Sequence, residues 1–334
     1  MPGNKLKILF VSSGNSQNFT IAPFIKSQGL SLEKKGIEIS WFTVKRKGFL
    51  GYLKAAIELR KYLKGKSFDL IHAHYTLCGW TSVLAFPKVP IVLSLMGSDT
   101  YGDYVGADKI KPISYYLIAL TKLIQPFVSA LICKSKHIQS YVFLKSKSFI
   151  IPNGVALGEF KPAEKSFHEE LKLSRENNYL LFLGNKDNVR KNYQLAEVAC
   201  KILKDKDLQL LAPYPVSQKE IVKYLNTVNC LVVTSFMEGS PNVVKEAMAC
   251  NCPVVSTDVG DVKWLLGEEP GHYLADFTPE EVAKKVKDAI AFSKKKGSTN
   301  GRTRLTELGL DEESVSQKII DVYLKCLKKN ESTF

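Results

Sequence analysis

Short runs of unbroken apolar residues alternate along this chain with longer stretches in which apolar positions recur every three or four residues. "KILFVSS" (7–13), "IEISWFTV" (37–44), "FDLIHAHY" (68–75), "PIVLSLMGSD" (90–99), "VSALICKS" (128–135) and "KSFIIPNGV" (147–155) are of the first kind. "APFIKSQGLSLEKKG" (22–36) and "GYLKAAIELRKYLKGK" (51–66) are of the second. Strands without polar alternation are buried on both faces, so the pattern predicts a parallel sheet with helices on each side. A polar stretch, "GEFKPAEKSFHEELKLSRENN" (158–178), interrupts the pattern and reads as a linker region. The alternation then resumes through "YLLFLGN" (179–185), "NYQLAEVACKILKDK" (192–206), "LQLLAP" (208–213), "EIVKYLNTVN" (220–229), "CLVVTSF" (230–236), "NVVKEAMAC" (242–250) and "PVVSTD" (253–258). A last amphipathic helix covers roughly 311–329. A chain of 334 residues exceeds what one core usually serves, and two similar βα halves are expected.

In open α/β sheets, ligands bind beyond the carboxyl ends of the strands. Those ends carry Gly14-Asn15, His72 and His74, Gly97-Ser98-Asp99, Gly184-Asn185, Glu238-Gly239-Ser240 and Asp258-Val259-Gly260. Two such domains facing one another would line a cleft with all six. In "SFMEGSPNVVKEAMACNCPVV" (235–255), Ser240 fits an N-cap and Pro241 a first helical residue. Val243, Val244, Ala247 and Met248 form the apolar stripe, and Asn251 suits the left-handed position after the helix. The free amides at the helix start can hold a phosphate, with Glu238 just before them and Glu246 a little over one turn in. Two accounts fit these carboxylates. They grip hydroxyls on either side of a diphosphate, or Glu238 caps the helix and Glu246 is solvated.

Charge changes the picture of partners. Lys plus Arg total 47 against 33 for Asp plus Glu, a net charge of +14. That points to an anionic ligand, an anionic membrane surface or nucleic acid, or to lysines that are simply solvated. Much of it lies early in the chain, at Lys45, Arg46, Lys47, Lys54, Arg60, Lys61, Lys64, Lys66, Lys109 and Lys111. "YGDYVGADKIKPISYYLIALTKLIQPF" (101–127) mixes lysines with aromatic and aliphatic residues, as a surface resting on an anionic bilayer would, or as a buried helix with a solvated face would. Positive charge is dispersed and no recognition-helix or aromatic RNA-binding pattern occurs, so a nucleic-acid partner is not expected. The seven cysteines are irregularly spaced, which argues against a disulfide framework and for a reducing, cytoplasmic setting. In that setting the Asn18-Phe19-Thr20 glycosylation pattern has no meaning. The N-terminus reads as a buried strand rather than a signal peptide, and no apolar window is long enough to span a bilayer. Asp205-Lys206-Asp207 spells a metal-binding Asp-x-Asp, but on a lysine-rich turn it reads as solvated, and neither metal nor cofactor is expected. No G-x-G-x-x-G follows the first strand, which argues against a dinucleotide-dependent oxidoreductase.

"EGSPNVVKEAMACNCPVVSTDVG" (238–260) resembles the donor-binding E-x7-E segment of the family-4 glycosyltransferases, with Glu238 and Glu246 as the signature pair. "LGNKDNVRKNYQLAEVA" (183–199) resembles their phosphate-binding loop and helix. "IIPNGVALGEFKP" (150–162) resembles their interdomain strand and turn, and "IIDVYLKCL" (319–327) their last helix. "FDLIHAHY" and "SLMGSD" are similar to their acceptor-side loops.

The resemblance implies a GT-B fold, two Rossmann-like doubly wound domains facing a cleft. Residues 1–160 would be the acceptor-side domain, 175–310 the nucleotide-sugar domain, and 311–330 a helix crossing back to the first. It implies transfer of a sugar from a nucleoside diphosphate donor, of UDP or GDP type, to a hydroxyl of a glycan or lipid-linked acceptor, with retention at the anomeric carbon. The setting would be cell-surface polysaccharide or glycolipid assembly, at the inner face of the membrane. The donor set would be Asn185, Arg190, Lys191, Glu238, Gly239, Ser240, Asn242, Val243 and Glu246. Gly14, Asn15, His74 and Asp99 would face the acceptor, and Glu238, Lys191, Asp99 and His74 would carry catalysis. The chain departs from the family where its Lys-Gly pair reads Lys191-Asn192, and at three further places. Asn185 stands where an arginine is common, with Arg190 or Lys186 as stand-ins; Met96 replaces a histidine; and "SSGNSQNF" lacks a double glycine. These departures keep open a sugar-nucleotide-binding relative that has lost transfer.

Overall fold

The computed structural model describes residues 5–15, 19–46 and 48–331. The Asn18 pattern and Lys47 of the basic group lie outside the described residues. The chain forms two compact units. One takes in the chain up to Asp103, Lys111–Gly154 and the chain from Glu312 onward; the other comprises Tyr104–Ile110 and Val155–Asp311.

In the first unit the elements run β1 (Lys7–Ser13), α1 (Pro23–Lys34), β2 (Glu38–Val44), α2 (Gly48–Leu63), β3 (Leu70–His74), α3 (Thr76–Leu84), β4 (Ile91–Leu95), α4 (Ser98–Tyr101), α5 (Ile113–Ile124), β5 (Ala130–Cys133), α6 (Lys136–Ser140) and β6 (Ser148–Ile150). The six strands form one parallel sheet in the order β2-β1-β3-β4-β5-β6. In the second unit they run β7 (Asn178–Leu181), α7 (Tyr193–Ile202), β8 (Leu208–Leu211), α8 (Gln218–Leu225), β9 (Cys230–Val233), α9 (Asn242–Ala249), β10 (Val254–Thr257), α10 (Val262–Leu266), β11 (His272–Ala275), α11 (Pro279–Lys296) and α12 (Gly301–Glu307). Its parallel sheet is ordered β11-β10-β9-β7-β8. α13 (Glu312–Glu331) then returns to the first unit.

The unbroken apolar strands are buried on both faces, as their pattern requires. In β9, Leu231 and Val233 join Val244, Ala247 and Met248 of α9 in one core, while Cys230 and Val232 join Leu195 of α7 and Val282 and Val286 of α11 in the other. Successive side chains of one strand thus feed two cores. Strand order reverses between β7 and β9, so the crevice at the ends of these two strands is where such a sheet takes a ligand.

The stretch 158–178 is not a linker. Phe160 is buried in the second unit's core. Asn226 Oδ1 accepts from the Ala163 amide at 2.7 Å, Thr227 Oγ1 from Phe167 at 3.0 Å, and the Tyr179 hydroxyl from Ser174 at 2.9 Å. The backbone of the stretch is thus bonded into the second unit, and the units divide at Gly154/Val155. Val155 donates its amide to the Leu310 carbonyl at 2.9 Å, where the chain leaves the second unit.

α13 completes the first unit's core. Val315, Ile319, Val322, Tyr323 and Cys326 pack with Ile8, Phe10, Ile25 and Leu32. Two polar contacts fix it: Ser316 Oγ to Ser31 Oγ at 2.7 Å, and the Tyr323 hydroxyl to His72 Nδ1 at 2.6 Å.

Candidate functional site

The ends of β7 and β9 in the second unit bring three of the predicted donor residues, Arg190, Lys191 and Glu238, together. After β7, a chain of side-chain-capped turns shapes residues 184–192. Asn185 Oδ1 accepts from the Asp187 amide at 3.0 Å, and Asn188 Oδ1 from the Arg190 amide at 3.2 Å. Asn192 ends the segment with φ 50°, a left-handed residue that asparagine tolerates. The loop is stitched to the end of β9 by Phe236 N to Arg190 O at 2.8 Å and Thr234 Oγ1 to Asn192 O at 2.9 Å.

That stitching aims two cations at one carboxylate. Lys191 Nζ lies 2.7 Å from Glu238 Oε1, and Arg190 Nη1 lies 2.8 Å from Glu238 Oε2. Ser235 Oγ donates to Oε1 as well, at 2.8 Å. Burial works to raise the Glu238 pKa, but the charges of Lys191 and Arg190 and their hydrogen bonds outweigh it and hold it down at about 2. Arg190 also donates to the Met237 carbonyl at 2.8 Å. Arg190, not Lys186, therefore brings a guanidinium to this site; the Lys186 ammonium sits over the Tyr193 ring, 4.8 Å from its centroid. Asn185 spends its side-chain oxygen on the turn.

The helix that follows starts one residue later than its cap residues predict. Pro241 takes the cap position in an extended conformation (φ −69°, ψ 118°), and no side chain caps α9. Ser240 Oγ instead accepts from the buried Lys245, whose Nζ lies 3.1 Å away. Asn251 adopts φ 55° after the helix, the left-handed conformation its position predicts. Asn242, Val243 and Glu246 are half-buried on the first turns of α9. Burial raises the Glu246 pKa to about 7 against the pull of Lys245 and Lys191. Lys191 thus acts electrostatically on both members of the Glu238/Glu246 pair.

Two buried charged residues of this region escaped the sequence reading. Burial lowers the Lys245 pKa to about 8 against the pull of Asp261 and Glu246, and raises that of Asp261 to about 6 against the pull of Lys245. The signal available was Asp261's place one residue beyond the noted Asp258-Val259-Gly260 strand end. Gly260 (φ +64°) lies so close to the Glu238-Gly239 turn that an added Cβ would stand 2.6 Å from both carbonyl oxygens. Only glycine lets these loops meet.

Of the four acceptor-side residues of the first unit, the structure buries two, Asp99 and His74. Asp99 is fully buried, and its carboxylate is saturated by donors. Oδ1 accepts from the amides of Met96 and Gly97, each at 2.9 Å. Oδ2 accepts from the Thr76 amide at 3.0 Å and hydroxyl at 3.2 Å. Asp99 ties the loop after β4 to the start of α3. His74 is also buried, stacked on His72 with centroids 4.2 Å apart and against Phe10 at 4.7 Å. Burial, with the Lys134 charge nearby, pushes its pKa well below the ordinary histidine value, so the ring is a neutral core residue. Gly14 and Asn15 stay half-buried at the end of β1, where Asn15 Nδ2 donates to the Arg46 carbonyl at 2.8 Å. In Asp205-Lys206-Asp207, Asp205 Oδ1 accepts from the Asp207 amide at 3.0 Å and closes its own turn. Among the described residues no cluster of three or more His, Cys, Asp and Glu converges. No described helix is long and apolar enough to cross a membrane.

Known proteins share this architecture. Sucrose-phosphate synthase (tll1590) from Thermosynechococcus elongatus superposes with a TM-score of 0.84 over 97% of this chain and all of that one, at 16% identity. Anabaena Alr3699/HepE, solved in complex with UDP and glucose, superposes with a TM-score of 0.69 over 95% of this chain and 98% of that one, also at 16% identity. These likenesses define the class by fold: GT-B. The family model described as "Glycosyltransferase Family 4" matches residues 25–159, and that described as "Glycosyl transferases group 1" matches residues 155–291. The chain belongs to family 4 of the glycosyltransferases. Among curated relatives, TuaC of Bacillus subtilis (strain 168), named as a teichuronic acid biosynthesis glycosyltransferase, is 27% identical over 60% of this chain; the match spans 56% of TuaC's own length. The uncharacterized glycosyltransferase MJ1178 of Methanocaldococcus jannaschii is 25% identical over 72% of this chain and 71% of its own.

Proposed function

We propose that this protein transfers a sugar from a UDP- or GDP-type donor to the hydroxyl of a glycan or lipid-linked acceptor, with retention at the anomeric carbon. The observation that carries the proposal is the convergence of Arg190 and Lys191 on Glu238 beside the uncapped start of α9. A leaving diphosphate gains negative charge in the transition state. Two preorganised cations and the first amides of α9 would stabilise it where that charge develops. Glu238 has a second role in this reading: it fixes both cations before the donor arrives, and then meets the transferred sugar. Glu246 would accept hydrogen bonds from the ribose. The acceptor's proton would leave with the departing phosphate, a path that asks for no second carboxylate across the site. The UDP-glucose complex of HepE supports the donor class, and the naming of TuaC supports a role in cell-surface polysaccharide or glycolipid assembly. A cytoplasmic location goes with this reading.

The test is a melting-temperature series with UDP, GDP and ADP, followed by donor turnover with the nucleotide that binds. A rise with one of them, abolished in Lys191→Ala and Glu246→Ala, is expected. No rise with any would overturn the proposal. Binding without hydrolysis or transfer would leave a sugar-nucleotide-binding relative, a reading that Met96 in the histidine position would then explain.

A further inference from the structure

The first unit holds a cavity of about 370 Å³ at the amino ends of β5 and β6, walled on one side by α13. Gly14, His74 and Asp99 stand at or beyond the carboxyl ends of strands in the same parallel sheet, so the cavity lies at the sheet's other end. Its lining carries three lysines, Lys147, Lys325 and Lys329, with the hydroxyls of Ser129 and Ser146, and contains no acidic residue. Val128, Ala130 and Phe149 give it an apolar wall. Cavities of this size take small molecules.

The three ammonium groups are set against one another. Lys147, in the turn before β6, is half-buried and pinned: its Nζ donates to the Val128 carbonyl at 2.6 Å and to the Pro126 carbonyl at 3.4 Å. Burial, and then the Lys329 charge, lower its pKa, so Lys329 is near enough to repel it. Lys325 and Lys329 are one turn apart on α13, a like-charge spacing that disfavours a helix. The Lys325 ammonium lies 5.2 Å from the centre of the Phe149 ring.

Each lysine taken alone has an ordinary explanation. Lys147 satisfies two carbonyls, and Lys329 complements the carboxyl end of α13. Neither explanation accounts for their lining one cavity that has no acid to balance them. An anion placed there turns the repulsion into attraction. A phosphate suits the site, because its several oxygens accept from lysines and serine hydroxyls at once. The mixed wall suits a sugar, with C–H faces for Phe149 and hydroxyls for the polar rim.

We propose that this cavity binds a sugar phosphate, its phosphate held by Lys147, Lys325 and Lys329 and its sugar resting against Phe149. The bound phosphate ties the last turns of α13 to the β5–β6 edge, and so steadies the core to which Cys326 belongs. The site is separate from the Arg190–Lys191–Glu238 cluster, and the inference does not depend on the transferase reading.

The experiment is titration calorimetry of the full chain carrying Lys191→Ala, in which the candidate donor site has lost a cation. The probes are glucose 6-phosphate, inorganic phosphate and glucose. Glucose 6-phosphate should bind more tightly than inorganic phosphate, and glucose should not bind. Adding Lys325→Met with Lys329→Met should weaken glucose 6-phosphate binding about tenfold. Lys294→Met with Lys295→Met, an exposed pair on α11, should leave it unchanged. Both pairs alter exposed positions, and an unchanged melting temperature without ligand shows that each folds. Absence of glucose 6-phosphate binding, affinity no better than that of inorganic phosphate, or equal binding by the folded Lys325/Lys329 pair overturns the proposal. An equal loss in both pairs does so too, since net charge would then suffice. So does sedimentation with phosphatidylglycerol vesicles that the Lys325/Lys329 pair abolishes while glucose 6-phosphate fails to compete, because the lysines would then meet lipid headgroups.

Discussion

The Lys191 ammonium and the Glu238 carboxylate meet at 2.7 Å across the gap between the ends of β7 and β9. They come from loops 47 residues apart, and the carboxylate holds a second cation, Arg190, on its other oxygen. A carboxylate so placed assembles a positive site before any ligand is present.

Replacing Glu238 by alanine removes the carboxylate that both cations share. We expect Glu238→Ala to lower stability by about 1–3 kcal/mol, the range for a buried charged group left unsatisfied. Urea denaturation of the purified variant checks this. Lys191→Ala should cost less, because Arg190 and Ser235 still hold the carboxylate, yet it should abolish the nucleotide-induced rise in melting temperature.

Glu238 and Glu246 make opposite pH predictions. The Glu238 pKa is depressed from 4.5 to about 2, so its stabilisation is present above pH 4.5 and is lost as pH falls towards 2. The Glu246 pKa is raised from 4.5 to about 7, so the folded state holds an extra proton between those values and stability falls as pH rises through that window. If its ionised form receives the ribose hydroxyls, nucleotide affinity rises across pH 6–8, around that pKa of about 7. Titration calorimetry at several pH values should show this dependence in the wild type, and Glu246→Gln should flatten it.

Gly260→Ala tests the close approach of two loops. The substitution forces a left-handed residue, at about 1–2 kcal/mol, and drives a methyl group towards two carbonyl oxygens. Thermal unfolding should show the loss of stability. Nucleotide binding should weaken with it, because the displaced turn carries Glu238.

Asp99→Ala separates support from chemistry. The variant loses acceptors for two buried amides, a part-buried one and a hydroxyl, at about 1–3 kcal/mol for each buried group left without a partner. A large drop in melting temperature is expected, with the nucleotide-induced rise preserved in whatever fraction remains folded.

Strand periodicity made the two parallel sheets legible, because residues buried on both faces leave no polar alternation to misread. Glu238 was legible at a strand end, Lys191 through the resemblance to the family's phosphate-binding loop, and Arg190 as one of two stand-ins for its arginine; the structure brings these three side chains together. What stayed hidden depends on three-dimensional partners. His74 and Asp99 look like reactive groups beside a turn, and only the packing of Phe10 on one and the backbone amides around the other show that they are occupied. Lys245 and Asp261 are distant in sequence, and nothing local marks a lysine that will be buried. The linker reading of 158–178 failed for the same reason, since backbone amides of the stretch are met by Asn226 and Thr227, some 60 residues further along the chain.

The placement of α13 bears on how the molecule is made. Tyr323 and its neighbours fill a core whose other walls are Ile8, Phe10 and Leu32, near the opposite terminus. A nascent chain leaving the ribosome therefore carries the first unit's sheet with one side of its core uncovered throughout synthesis of the second unit, which can mature before its predecessor. The half made earliest is the last to close, and until its final helix emerges it stays exposed to proteases and chaperones.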